Sequence, residues 1–277
     1  MSRQNGLSLV ELMIALLLGS LLTIAATQLF LVNRQTDNLQ MGIAGVQDSG
    51  RFAFDFLSRS LMEAGQGEEE PIVPFVLDGV AQFNSASAEI ADGDKYDTVV
   101  FEVIAGKDCL GNALTGYKRF YVLDDADGKR LICTSFEFGV QQDEDGNDVE
   151  GWYADDKGTL IDNIEAFQVL YGLDFNSASE DGYGSADLYT NATQVKALKS
   201  ELTKGDIRIV SVRFSVLLAS DEKVTLDAEL APDAIDVLDQ QYVQGDVTEG
   251  GAINFEDGRL YRTYSSTVAI RNLIGGI

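Results

Sequence analysis

The 277-residue chain has no histidine, and this absence removes a large part of enzyme chemistry. Without imidazole there is no Ser-His-Asp or Cys-His mechanism and no His-ligated metal site. Positive charge is also scarce. Twenty Lys and Arg stand against 45 Asp and Glu, for a formal net charge of -25. Phosphate contacts need clustered Lys and Arg, so no nucleic-acid partner is expected. A polybasic membrane patch is excluded for the same reason. Cysteine is limited to Cys109 and Cys133. What composition leaves open is a carboxylate-only enzyme or a calcium site. Hydrophobic residues make up 45% and charged residues 23%, which are values of a folded chain with room for one large or two small domains.

The apolar residues are concentrated at the start. Residues 7–32 read LSLVELMIALLLGSLLTIAATQLFLV, with Glu11 the one ionisable side chain. As a helix, at ~1.5 Å per residue, this run spans ~39 Å and crosses a hydrocarbon core of ~30 Å. A buried core helix is the alternative, but core helices of this length keep a polar stripe. Arg3 and the α-amino group precede the run, while Arg34 and Asp37 after it cancel. This places the N-terminus in the cytoplasm and the remainder outside.

A secretory signal would be cut after its apolar region, and Ala25-Ala26-Thr27 imitates such a site. The helical pattern nevertheless runs on. Leu39, Ile43, Val46, Gly50, Ala53, Leu57, Leu61 and Ala64 follow at spacings of three and four, with Gly65 as a stop. One helix from about Leu7 to Ala64 is expected, ~87 Å long. A helix of that length needs neighbours that the head alone does not supply.

The segment Gly6-Leu7-Ser8-Leu9-Val10-Glu11-Leu12-Met13-Ile14-Ala15 resembles the class III signal of type IV pilins and type II secretion pseudopilins. The resemblance implies that prepilin peptidase cuts between Gly6 and Leu7 and methylates the new amine of Leu7. Glu11 then becomes the fifth mature residue, the family's signature glutamate. A carboxylate inside a bilayer costs on the order of 2.5–3.5 kcal/mol and needs a partner. A neighbouring subunit's N-terminal ammonium would be its counter-charge; a Glu kept wet at the headgroups is the alternative. Leu7 departs from the commoner Phe, and the helix lacks the proline many major pilins carry, leaving Gly19-Ser20 for any local unwinding.

Three head segments extend the likeness: Asp162–Asp174 (DNIEAFQVLYGLD), Asp206–Ser220 (DIRIVSVRFSVLLAS) and Gly258–Asn272 (GRLYRTYSSTVAIRN). They resemble the head of the PilW family of minor pilins. The J-type minor pseudopilin of type II secretion has a related head and is the competing assignment. The resemblance implies a leader at 1–6, a membrane and assembly helix at 7–32, its amphipathic continuation at 33–65 and a periplasmic or extracellular β-rich head at 66–277. It also implies a hetero-oligomeric subunit, anchored by one span in the inner membrane and later in the pilus at the cell surface. Its partners would be prepilin peptidase, other minor pilins and the major pilin. No cofactor and no metal are expected.

Read without the family, residues 66–94 form linker and loop. Asp97–Ile104 is strand-like, and Arg119–Leu123 and Arg130–Thr134 flank a hairpin signal at Asp127-Gly128. Ile207–Leu217 alternates. Ile207, Ile209, Ser211, Arg213, Ser215 and Leu217 face one way, against Arg208, Val210, Val212, Phe214, Val216 and Leu218. One mostly apolar face predicts an antiparallel sheet packed on one side, with the helix as cover. The expected class is α+β: a type IV pilin-like long helix, its first half membrane-embedded, against an antiparallel sheet.

In an oxidising compartment Cys109 and Cys133 are expected to pair, closing a loop worth about 3.5 kcal/mol; two buried free thiols are the alternative. The acid clusters around Asp143–Asp148 and Asp174–Asp187 miss the spacing of the calcium loop and read as solvated turns. Asn191-Ala192-Thr193 matches a glycosylation acceptor by chance. The function that the resemblance implies is structural: a minor pilin expected to help prime assembly and to sit in the pilus or its tip complex. The rival class is a membrane-tethered glycosidase using two carboxylates, with Trp152 and Tyr153 beside Asp155 and Asp156 lining a sugar site. A solvated turn is the simpler reading of those four residues, and an enzyme would have no use for the amphipathic half of the helix.

Overall fold

A computed structural model describes residues 8–65, 74–76, 96–126, 128–142, 147–177, 179–204, 207–224, 231–245 and 252–270. The chain begins with α1, Leu9–Met62. Its leucines, alanines and methionines are strong helix formers, and no proline interrupts them. The last turn tightens: Glu63 and Ala64 donate to the carbonyls of Ser60 and Leu61, three residues back. Gly65 then takes φ +69°, and its N–H bonds Glu102 rather than the helix. The expected stop is therefore also the first stitch to the head.

β1 (Val99–Lys107), β2 (Ala113–Asp125), β3 (Gly128–Gln142) and β4 (Asp148–Asp162) form an antiparallel meander in chain order. The predicted hairpin closes at the pair Asp125–Gly128, where Gly128 takes φ +114°. Most of the predicted linker 66–94 lies outside the described residues. Its residues 74–76 do not loop freely; they pair with β1 through Phe75 and Phe101.

β5 (Ile164–Asp174), β6 (Leu188–Thr190), the short helices α2 (Ala192–Ala197) and α3 (Lys199–Lys204), and β7 (Arg208–Ala219) follow. β8 (Ala234–Val237), β9 (Gln240–Gln244), β10 (Ala252–Ile253) and β11 (Tyr261–Ala269) complete the chain. A second antiparallel sheet has the order β11-β7-β5-β6, and β10-β9-β8 make a small third sheet with β10 and β9 parallel. The chain crosses from the first sheet to the second at Asn163, whose φ is +57°. Residues 96 and 97 bind the two sheets together. Tyr96 bridges Phe167, and Asp97 accepts from the Val169 N–H while donating its own to Phe167.

Two expectations need correction. The sheet is not covered on one side alone. Ala166 and Leu217, on the face away from the helix, pack with Val237, Tyr242, Ile253 and Phe255 of the small sheet, and Gln168 donates to Tyr242 at 2.8 Å. Nor does β7 alternate strictly. Its pairing with β5 slips between Ile209 and Ser211, so Ile207 and Ile209 join Val212, Phe214, Val216 and Leu218 in the main core. One inserted residue inverts the faces beyond it.

Candidate assembly interface

The first half of α1 stands clear of the head. Every residue from Ser8 to Thr36 is exposed, including leucines such as Leu9, Leu16, Leu22 and Leu29. α1 is one helix long and apolar enough to cross a membrane. The hydroxyls along this half of the helix are already satisfied. Ser20, Thr23, Thr27 and Thr36 each donate to a backbone carbonyl three or four residues back, at 2.8–2.9 Å. Such bonds let polar side chains sit in an apolar medium without an outside partner. Glu11 differs: among the described residues its carboxylate has no hydrogen-bond or ion-pair partner. Arg34, stacked on Phe30 at 5.3 Å, marks the end of the apolar stretch.

The second half is built to hold the head. Val46, Gly50, Ala53, Leu57 and Leu61 are buried, as their spacing predicts, whereas Leu39 and Ile43 remain partly or largely exposed. Phe56 meets Phe120 of β2 at 6.1 Å, and Phe54 meets Phe214 of β7 at 6.2 Å, so the helix seats in both large sheets. Gly50 lies under the Tyr264 ring, and Gly42 lies against Val224. Where the helix leaves the head, an open cavity of about 560 Å³ separates Met41, Gly45 and Phe52 from Ile161, Asn163 and Asp221.

Ion pairs fix the helix end and the sheet junction. Lys118, 2% exposed, reaches Glu63 at 2.7 Å just past the end of α1. Glu165, the residue where β5 bulges, pairs with both Lys129 and Arg259. Arg259 also holds Asp257, which accepts from Tyr261 as well. Burial opposes the charge on Asp257, but the Arg259 and Tyr261 bonds outweigh it and hold the carboxyl below its ordinary range. Asp174 is fully buried and ties down the loop after β5. Burial again opposes its charge, and bonds from the Gly184 and Asn176 N–H groups and Arg208 overcome it, so its pKa is lowered.

Residues 119–272, more than half of the chain, match the family profile described as type IV pilus-assembly protein W, PilW. The chain belongs to the PilW family. Residues 1–27 match the prokaryotic N-terminal methylation motif. A type IV-like pilin from Thermus thermophilus is similar in structure, with 13% identity, 82% of this chain and 98% of that chain covered, and a TM-score of 0.37. No curated protein matches significantly. The helix and antiparallel sheets described above make this PilW-family chain type IV pilin-like in fold.

In this PilW-family head the predicted cysteines are joined. Cys109 and Cys133 form a disulfide with Cα atoms 5.7 Å apart. It pins the β1–β2 turn to β3, and Asp108 shapes that turn by accepting from the N–H groups of Leu110 and Asn112. Gly6 and Leu7, the expected cleavage pair, lie outside the described residues. Asp143–Gly146 of the first acid cluster do as well. In the second, Asp187 and Glu180 accept from backbone N–H groups of their own loop, at Phe175 and Ser177. Among the described residues no three acidic or cysteine side chains gather as a metal group. Asn191 caps α2 through the Gln194 N–H. Trp152 and Tyr153 are not in a turn; they lie in β4, where Trp152 packs edge-on against Tyr117 and Phe138. Sequence reasoning missed the Glu165 and Lys118 pairs, since neither residue differs in pattern from its many charged neighbours.

Proposed function

We propose that the protein is a minor pilin, which helps prime type IV pilus assembly and sits in the pilus or its tip complex. Its role is structural rather than enzymatic. Residues 1–6 are the leader, 7–32 the membrane and assembly segment, 33–65 its continuation and 66–277 the head. Prepilin peptidase cuts after Gly6 and methylates Leu7. The subunit waits in the inner membrane, N-terminus inward, and is then drawn into a filament with other minor pilins and the major pilin. The observation that carries this reading is the division of α1: an uncovered apolar half continuous with a half seated in a PilW head. A tethered enzyme needs only the first half. The PilW match favours pilus assembly over a J-type role in secretion.

Glu11 supplies the mechanism. Alone in the apolar segment, its carboxylate attracts the ammonium of a neighbouring mature subunit during packing. An unpaired buried charge costs about 3–5 kcal/mol, which corresponds to more than a hundredfold in assembly. Glu11→Ala should insert in the membrane normally yet be depleted from sheared filaments, as blotting would show. Wild-type levels of the variant in filaments would remove this role from Glu11.

A further inference from the structure

Sheet edges differ sharply in how they are protected. The edge of β1 is covered by residues 74–76, and β6 is three residues long. β4, the other edge of the first sheet, carries exposed Asp148, Glu150 and Asp162, and its pairing with β3 slips twice. Charges and bulges of this kind deter strand addition. β11 has no bulge and a single charge. It pairs with β7 over nine consecutive residues, Tyr261 to Ala269, with no slip, and its sequence YRTYSSTVA contains one charge and no proline. Among the described residues no strand pairs with its outer edge.

The outward-facing groups can be assigned. Ser220 donates to Leu260 at one end and Ile270 donates to Val210 at the other. Alternate residues between them bond β7, which leaves the N–H and C=O of Thr263, Ser265 and Thr267 directed away from the sheet. Two cations stand beside this edge. Arg262 lies two residues before Tyr264 on the strand, and Arg51 follows Gly50, which lies under the Tyr264 ring; among the described residues neither is in an ion pair. In a chain of net charge -25, this strand carries no Asp or Glu. Phe54 of α1, 41% exposed, packs on Phe214, which lies opposite Ser266 in the ladder.

We propose that the outer edge of β11 accepts an extended, acidic segment of a partner polypeptide as an added strand. Main-chain bonds to Thr263, Ser265 and Thr267 hold the segment, and Arg262 and Arg51 select its charge. The edge belongs to the head and is independent of what the first half of α1 does.

The test uses the full-length protein in detergent micelles. Its probes are two labelled peptides about as long as β11, one alternating Thr or Val with Glu, the other with Lys in place of Glu. Fluorescence anisotropy should show binding of the Glu peptide and not of the Lys peptide. Thr263→Pro removes an outward N–H and leaves the β7 ladder intact. Arg262→Glu reverses the selecting charge. Each should weaken binding about tenfold or more. If Thr263→Pro melts abnormally, Arg262→Glu decides alone. No binding, equal binding of both peptides, or binding unchanged in Arg262→Glu would overturn the proposal. Self-association without peptide that Thr263→Pro abolishes would assign the edge to a second copy and overturn it as well.

Discussion

Gly50 of the helix lies so close beneath Tyr264 of the last strand that a Cβ at position 50 would fall 2.4 Å from the ring. The contact sets how deeply the helix seats on the second sheet. Glycine in a helix interior costs about 1 kcal/mol relative to alanine, and close approach is what it gains here. Gly50→Val should destabilise the head by about 1–3 kcal/mol through overpacking. Thermal melts in detergent should show a drop of several degrees, and Tyr264→Ala in the same chain should recover part of it. An unchanged melting temperature would show that the helix seats elsewhere.

The Cys109–Cys133 bond joins residues 24 apart in sequence. In the chain-entropy model, closing such a loop contributes about 3.5 kcal/mol. Cys133→Ser, or reduction of the wild type, should lower stability by roughly that amount. Mass measurement before and after alkylation under non-reducing conditions checks the bond itself, since the paired thiols should not label.

Asp174 gives the head an acid-sensitive joint. Its folded pKa is depressed below an ordinary value of about 3.9. The stability it contributes is therefore present above the unfolded pKa and is lost as pH falls through the lower folded value. Melting temperature should decline below about pH 4. Arg208→Ala removes the 2.9 Å pair and raises the folded pKa, so it should lower stability at neutral pH and flatten the acid-side decline. Melts across this range on both proteins check it; an equally steep decline in the variant would show that other carboxylates control it.

Different parts of the molecule were legible to different degrees. The long helix could be read to within two residues of its end, because an apolar run and a heptad-like stripe leave few alternatives. The hairpin at Gly128 and the pairing of Cys109 with Cys133 were legible for the same local reasons. β4 was not: DVEGWYADDKGTLID carries too many acids and glycines to show a strand period. The β7 bulge was hidden because Ile209 and Val210 are both apolar, so a slip between them changes nothing in the pattern. The small third sheet escaped notice because its strands are two to five residues long. In the candidate site Glu11 stood out by being alone, whereas Glu165 was one acid among 45 until folding brought Lys129 and Arg259 to it.

The most direct test of the assembly role is the mass of the N-terminal peptide of the protein recovered from sheared pili of cells with active prepilin peptidase. The expected peptide begins at Leu7, lacks residues 1–6 and carries one methyl group on its amine. The same protein from cells without the peptidase should keep Met1–Gly6 and be missing from filaments. A mature N-terminus after Ala25, Ala26 or Thr27, or an uncut chain in the filaments, would contradict the account.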